Sequence, residues 1–224
     1  MPRTSNASRR DWPEAVVAER KIIYVILAAG GAQRMGFAKA TEPLAGKSPL
    51  ERLGHVVEGR AVEIVTNELL KAAVSAMIPW AAVLVNATPL AGMTSSLLVA
   101  HRATEPDATL GVLLADKPFV RRDTLELCER TLNAAHACDV LFPVTRGERG
   151  HPVYFGPKAR ARLTEVPAGD TLRAVRDDPS LQHVAVECRD SGILIDLDTP
   201  EAWRAAEQRL LSGRARERDA HSRA

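Results

Sequence analysis

The feature that most constrains this chain is an apolar run, Val25, Ile26, Leu27, Ala28 and Ala29. It stops at Gly30 and Gly31, and Arg34 and Lys39 follow within a few positions. An apolar stretch bounded by glycine reads as a buried strand. The small residues after it let backbone N–H groups converge on an anion, because no Cβ intervenes. A helix opening just beyond would add its dipole to the same spot. Arg34 and Lys39 are spaced to neutralise phosphates, so the segment reads as a nucleotide loop. It fits neither standard glycine motif. The dinucleotide fingerprint places its glycines at other offsets, and a P-loop needs Lys-Ser/Thr directly after its last glycine, whereas Gly36 is followed by Phe37, Ala38, Lys39 and Ala40. A dehydrogenase and a Walker-type ATPase are therefore disfavoured. The same pattern also fits an ordinary strand-turn-helix corner whose cations face water.

The rest of the chain alternates strand and helix signals. Strands are predicted over residues 21–29, 60–66, 82–85, 109–115, 139–143, 152–155, 181–186 and 193–197. Helices are predicted over 48–57, 68–78, 122–137 and 200–211, with short helical pieces at 158–163 and 171–175. Thr94 or Ser95 is the expected N-cap of a further helix after Gly92. This order predicts a three-layer α/β/α domain, Rossmann-like, with a mostly parallel sheet. The stretch 109–115 is the most continuously apolar after the first strand, which suits a central place. Ligands of such sheets sit outside the carboxyl ends of the strands. The Gly30 loop and Asp116 both fall there, so they are expected to meet in space.

With 224 residues the chain can bury the core of one domain. That domain is placed at 21–212, after a loose arm at 1–20 and before a polar tail at 213–224. Thirty basic against 28 acidic residues give no global electrostatic case for a nucleic-acid or membrane partner, so a polyphosphate must be held by local cations. Cys128, Cys138 and Cys188 lack metal-site spacing and read as buried thiols in a reducing interior. No apolar run reaches bilayer length, and a cytoplasmic protein is expected.

Three polar features invite chemistry. Asp116, at the exit of an apolar strand and stiffened by Pro118, could hold Mg²⁺ beside triphosphate oxygens, or cap a loop. Asp196 and Asp198 are two apart and share a face if the last strand reaches them; side by side they repel unless a cation relieves them. Asp196 is the better second metal ligand, and Asp198 the expected cap of the helix opening at Pro200. His151, between Gly150 and Pro152, could hydrogen-bond a substrate oxygen or simply pack.

From about Ile22 to about Trp203, the chain resembles the molybdenum cofactor nucleotidyltransferases, most closely their cytidylyltransferase branch. The resemblance rests on Leu27 to Gly30 with Arg34, Gly36 and Lys39, on Gly46 to Leu50, and on Asn86 with Gly92 to Leu97. Ala115 to Pro118, Gly150 to Val153 and Asp196 to Glu201 extend it. It implies a sugar-nucleotide-transferase-like fold and Mg²⁺-dependent transfer of CMP from CTP to the phosphate of molybdopterin, with release of pyrophosphate. Alanine at position 29 is similar to the CTP-using branch. The resemblance implies catalytic roles for Arg34, Lys39 and Asp116, and metal binding by Asp116 and Asp196. It implies nucleotide contacts from Leu27, Ala28, Ala29, Gly30, Gly31, Arg34, Lys39, Thr66, Asn86, Gly92 and Ser95. Acceptor contacts are expected from His151, Asp170 and Arg173, and a receiving molybdoenzyme or insertion chaperone is an expected partner. Ala115 stands where the family has glycine, the Gly169 to Arg173 element lacks its second glycine, and Lys117 replaces an often neutral residue. These departures keep open a different phosphorylated acceptor. A pure pterin carrier is the contrasting reading, against which the triphosphate clamp argues.

Overall fold

The structure, a computed structural model, describes residues 19–30, 37–135, 137–165 and 172–221, the last helix by its backbone alone beyond residue 213. The first strand, β1 (Ile22–Leu27), is buried along nearly its whole length. It pairs in parallel with β2 (Val62–Thr66) on one side and β4 (Thr109–Leu114) on the other, and β3 (Ala82–Val85) extends the parallel set beyond β2. Beyond β4 the direction reverses: β7 (Val153–Phe155) is antiparallel to both β4 and β5 (Val140–Thr145), and β8 (His183–Glu187) runs parallel to β5. The two-residue strand β6 (Glu148–Arg149) returns from β5 through a turn at Arg146 and Gly147, both at positive φ, the hairpin geometry that matches strand twist. β6 and β7 share one edge of β5, interrupted at Gly150, His151 and Pro152. The result is a three-layer α/β architecture around a largely parallel sheet with one antiparallel insertion.

Alternation along β1 divides the core. Tyr24 and Ile26 face a layer built from α1 (Pro49–Val57), α2 (Lys71–Met77) and α4 (Arg122–Ala134), whereas Ile23, Val25 and Leu27 face α3 (Met93–Ala103) and α5 (Pro157–Arg162). The first layer holds a polar pin. Tyr24 Oη lies 2.7 Å from Glu129 and 2.9 Å from Tyr154 Oη, and Arg60 closes a bidentate pair on Glu129. A buried phenol needs such partners, and burial raises the pKa of both tyrosines.

Two local expectations are corrected. Helix α3 is not capped by Thr94 or Ser95. It opens at Gly92, whose φ of 91° suits glycine, and Ser95 Oγ donates back to the Gly92 carbonyl at 2.7 Å. Residues 193–197 do not form a strand. Ser191–Leu194 is a 3₁₀ turn, followed by an extended segment without sheet partners among the described residues. The turn is locked by Asp190, which accepts from Arg121 N, Thr124 Oγ1 and Gly192 N, and by the closeness of Gly192 to the Phe119 carbonyl. A Cβ on Gly192 would lie 1.9 Å from that oxygen. Gly192→Ala is expected to cost about 1–3 kcal/mol, read as a lower urea midpoint at unchanged m-value.

Candidate active site

The carboxyl ends of β1 and β4 form the floor of a cleft of about 420 Å³, lined by Leu27, Ala28, Ala29, Gly30, Lys39, Gly92, Asp116 and Asp198 among others. Backbone bonds from Ala28 N to the Val65 carbonyl (2.8 Å) and from Ala115 N to the Leu27 carbonyl (3.1 Å) carry the sheet register into that floor. Gly92 and Met93 place the amino end of α3, with its partial positive charge, against the same cleft.

The acidic pole is assembled across the chain. Leu197 is fully buried against Leu44 and Trp203, and its N–H donates to the Asp116 carbonyl at 2.9 Å. With Leu197 turned into the core, the flanking Asp196 and Asp198 present their carboxylates to Asp116, and one oxygen of each lies within 4.8 Å of the others. Asp198 is therefore no helix cap. Thr199 fills that role for the closing helix α7 (Pro200–His221), its Oγ1 accepting from Ala202 N at 3.1 Å, and Asp198 receives Lys39 Nζ at 2.5 Å. Phe37 packs edge-to-face on Trp203, with ring centres 5.1 Å apart, which fixes the segment that carries Lys39. Lys117 Nζ lies 2.9 Å from Asp196 Oδ2.

Three carboxylates so close repel, and two lysines only partly relieve them. Burial first, then the charges of Asp196 and Asp198, push the Asp116 carboxyl up to about 6, against the opposing pull of Lys39 and Lys117. Oδ1 of Asp116 and Oδ1 of Asp196 are buried without a hydrogen-bond partner among the described residues. Hard anionic oxygens left unsatisfied and converging suit a divalent cation such as Mg²⁺ or Mn²⁺; Asp116, Asp196 and Asp198 are the residues that would hold it.

His151 precedes β7, and its backbone N–H donates to the Ile193 carbonyl at 3.4 Å. Burial, then the nearby Lys117 and Arg176, lower its pKa to about 3. The ring is thus neutral at any working pH. Its NMR signals are expected to show no titration between pH 5 and 8, and a midpoint near 6.5 would contradict the placement.

Other expected residues fall differently. Thr66 and Asn86 are buried rather than on the cleft wall. The Asn86 amide is spent on Ser95 Oγ (2.8 Å) and Ser96 Oγ (2.9 Å), so Asn86 and Ser95 brace the α3 entrance. Ser96, Leu90 and Met93 line the cleft instead. Arg173 is exposed at the start of α6 (Arg173–Arg176); Arg176, which carried no distinguishing sequence signal, is the residue of that helix whose charge, after that of Lys117, reaches His151. Gly31, Arg34 and Asp170 lie outside the described residues. Among the described residues, no helix is long and apolar enough to cross a membrane.

Comparison with known families decides the class. Residues 24–186 match the MobA-like NTP transferase domain. The chain belongs to that family. Nucleotidyl transfer is accordingly its reaction class. No curated protein matches it. Among solved structures it is similar to Rv0371c from Mycobacterium tuberculosis H37Rv, at 21% identity and a TM-score of 0.70 over 85% of this chain and 99% of that one. Rv0371c has also been solved with manganese, with 21% identity and a TM-score of 0.63 over 84% of this chain and 98% of that one. Molybdopterin-guanine dinucleotide biosynthesis protein A from Archaeoglobus fulgidus aligns at 19% identity, with a TM-score of 0.63 over 85% of this chain and 99% of that one. A 4-diphosphocytidyl-2C-methyl-D-erythritol synthase from Anaerococcus prevotii aligns at 14% identity, with a TM-score of 0.70 over 87% of this chain and 98% of that one. At these identities the likeness is one of fold.

Proposed function

We propose that the protein is a divalent-metal-dependent nucleotidyltransferase that moves a nucleoside monophosphate from a nucleoside triphosphate to the phosphate of a small-molecule acceptor. CTP and molybdopterin are its first candidate pair. The observation that carries the reading is the meeting of Lys39, Asp116, Asp196 and Asp198 at the edge of one glycine-floored cleft. That Rv0371c, which shares this fold, forms a complex with manganese supports the reading of a divalent ion. The names of the molybdopterin-guanine and diphosphocytidyl relatives show one fold serving different acceptors, so the acceptor is proposed by class before it is proposed by name.

An acceptor phosphate oxygen attacks the α-phosphorus in line, the bond to the bridging oxygen breaks, and pyrophosphate leaves with the electron pair. A phosphate monoester is largely ionised at neutral pH, so no side-chain base is required. The protein's work is alignment and charge. The cleft floor at Ala28 to Gly30 and the amino end of α3 flank the nucleotide, and Lys39 balances charge gathering on the leaving group. A divalent ion on the three carboxylates would neutralise the transferred phosphoryl group. His151, held neutral, can donate to or accept from the acceptor without repelling Lys117 or Arg176.

Each of the four NTPs, supplied with Mg²⁺ and with molybdopterin or other phosphorylated acceptors, would be followed by pyrophosphate release. Release with CTP and molybdopterin alone supports the named pair, and release with another acceptor supports the class reading. Nucleotide binding without release for any acceptor supports a carrier instead. Lys39→Met is expected to lower kcat by roughly 10²–10³-fold, as loss of one charge-stabilising donor does, with a smaller effect on KM for the nucleotide.

A further inference from the structure

Two lysines touch the acidic cluster from different sides. Lys39 and its partner Asp198 line the nucleotide cleft; Lys117 and its partner Asp196 do not, and Asp196 lines the neighbouring groove beneath α7. The Lys117 side chain is 17% exposed. Its backbone is fixed by the bond from its N–H to the Leu114 carbonyl (2.9 Å) and by Pro118, so its ammonium moves through side-chain torsions alone. Asp196 faces two claims. Oδ2 is on Lys117, while Oδ1 is buried without a hydrogen-bond partner among the described residues, on a carboxylate that reaches Asp116 and Asp198. Two cations on one carboxylate repel each other, so tighter hold of one loosens the other.

We propose that Lys117 is a resident counter-cation that competes with a divalent ion for Asp196 and, once displaced, turns its ammonium towards the anionic group of the acceptor. The second half rests on the nucleotidyl-transfer reading above; the competition does not. The direction follows from the layout: Lys117 does not line the cleft that holds Lys39 and Asp198, whereas its partner Asp196 opens on the neighbouring groove, so the displaced ammonium turns to that side. Metal loading thereby creates a free cation where an acceptor phosphate must arrive, which favours metal and nucleotide entering before the acceptor. Lys117 is a positioning residue in this scheme and takes part in no covalent step.

The test uses the full chain and needs neither nucleotide nor turnover. Mn²⁺ affinity is measured by electron paramagnetic resonance of the free ion. Lys117→Met is expected to tighten Mn²⁺ binding by about tenfold, the scale of one removed unit charge near a partly solvated site. In an Asp196→Asn background the same change is expected to move affinity by less than about twofold, because the shared carboxylate is gone. A general field effect would give equal tightening in both backgrounds, and that result, like no tightening at all, overturns the proposal. Should Lys117→Met fail to fold, Lys117→Gln should tighten and Lys117→Arg should not; the reverse pattern overturns it equally. A second readout follows the ammonium itself. Pyridoxal 5′-phosphate condenses through its aldehyde with a lysine amine, losing water, and borohydride reduces the imine to a stable adduct located by mass spectrometry. Mg²⁺ is expected to raise the adduct yield at Lys117, and an unchanged yield counts against displacement. Failure of either readout leaves pyrophosphate release intact as a separate question, and absence of pyrophosphate release leaves the competition standing.

Discussion

Asp116→Asn is expected to lower metal-dependent transfer by about three orders of magnitude or more while making the folded protein more stable at neutral pH. The first effect follows from geometry. Asp116 belongs both to the nucleotide cleft and to the acidic cluster and, unlike Asp198, is not ion-paired to Lys39, so an amide there removes charge that joins metal to substrate. Pyrophosphate release at saturating nucleotide measures it.

The second effect follows from the displaced carboxyl. In the unfolded chain it ionises near 4, and in the fold near 6, because burial and the charges of Asp196 and Asp198 oppose ionisation. Below about pH 4 both states carry the proton and the group is neutral to stability. Between about 4 and 6 the unfolded chain releases it while the fold keeps it, so stability falls as pH rises and stays lowered above 6. The full displacement corresponds to about 3 kcal/mol, and partial solvent contact reduces this to about 1–2 kcal/mol at pH 7.5. Asparagine escapes this cost. Scanning calorimetry should show a higher Tm for Asp116→Asn at pH 7.5, with the gap closing towards pH 4. Mg²⁺ should raise the Tm of the wild type and leave the variant nearly unmoved, because only the wild type binds the ion well. A variant that is less stable at pH 7.5, or that keeps its turnover, would show Asp116 to be an ordinary loop carboxylate.

Much of the frame was legible in the sequence because burial on both faces leaves a mark. The runs that became β1 and β4 are apolar at consecutive positions, and a chain that alternates such runs with helical periodicity has few architectures open to it. The misread elements are those where distant partners outweigh local preference. Ile193 to Leu197 has the composition of a strand, but Leu197 is claimed by Leu44 and Trp203 and by the Asp116 carbonyl, which draws the segment off the sheet. Asp198 has the right offset from Pro200 to cap a helix. Thr199 has a better one, and the freed carboxylate goes to Lys39, 159 positions away, a pairing that no local pattern announces. The strand at β7 was legible, but its antiparallel direction and the return through β6 were not, because a two-residue strand offers too few positions for periodicity to register.

The same blindness covers Arg160, whose replacement by Met is expected to destabilise the fold by about 3–5 kcal/mol, a drop of roughly 8–15 °C in Tm. In sequence it sits between Lys158 and Arg162 and looks like either neighbour. In the structure those two reach solvent, and Arg160 is 1% exposed. Its Nη1 donates to the carbonyls of Glu105 and Ala108, each at 2.6 Å, and its Nη2 to those of His101 (3.1 Å) and Thr104 (3.2 Å). These carbonyls belong to the last turn of α3 and the loop that leads into β4, so the guanidinium closes the negative end of the helix dipole with a planar fork. Methionine fills much of the volume but strands four buried acceptors, and charge-assisted bonds are the costly ones to lose. Lysine should rescue little, since one ammonium cannot span four carbonyls in that geometry. The functional consequence travels along α3. Its other end carries Gly92, Met93 and Ser96 on the cleft wall, so loosening the carboxyl end should raise KM for the nucleotide more than it lowers kcat, at temperatures where the variant remains folded. Equal loss in both parameters, or a Tm within about 2 °C of wild type, would show that the helix is held by its apolar face alone.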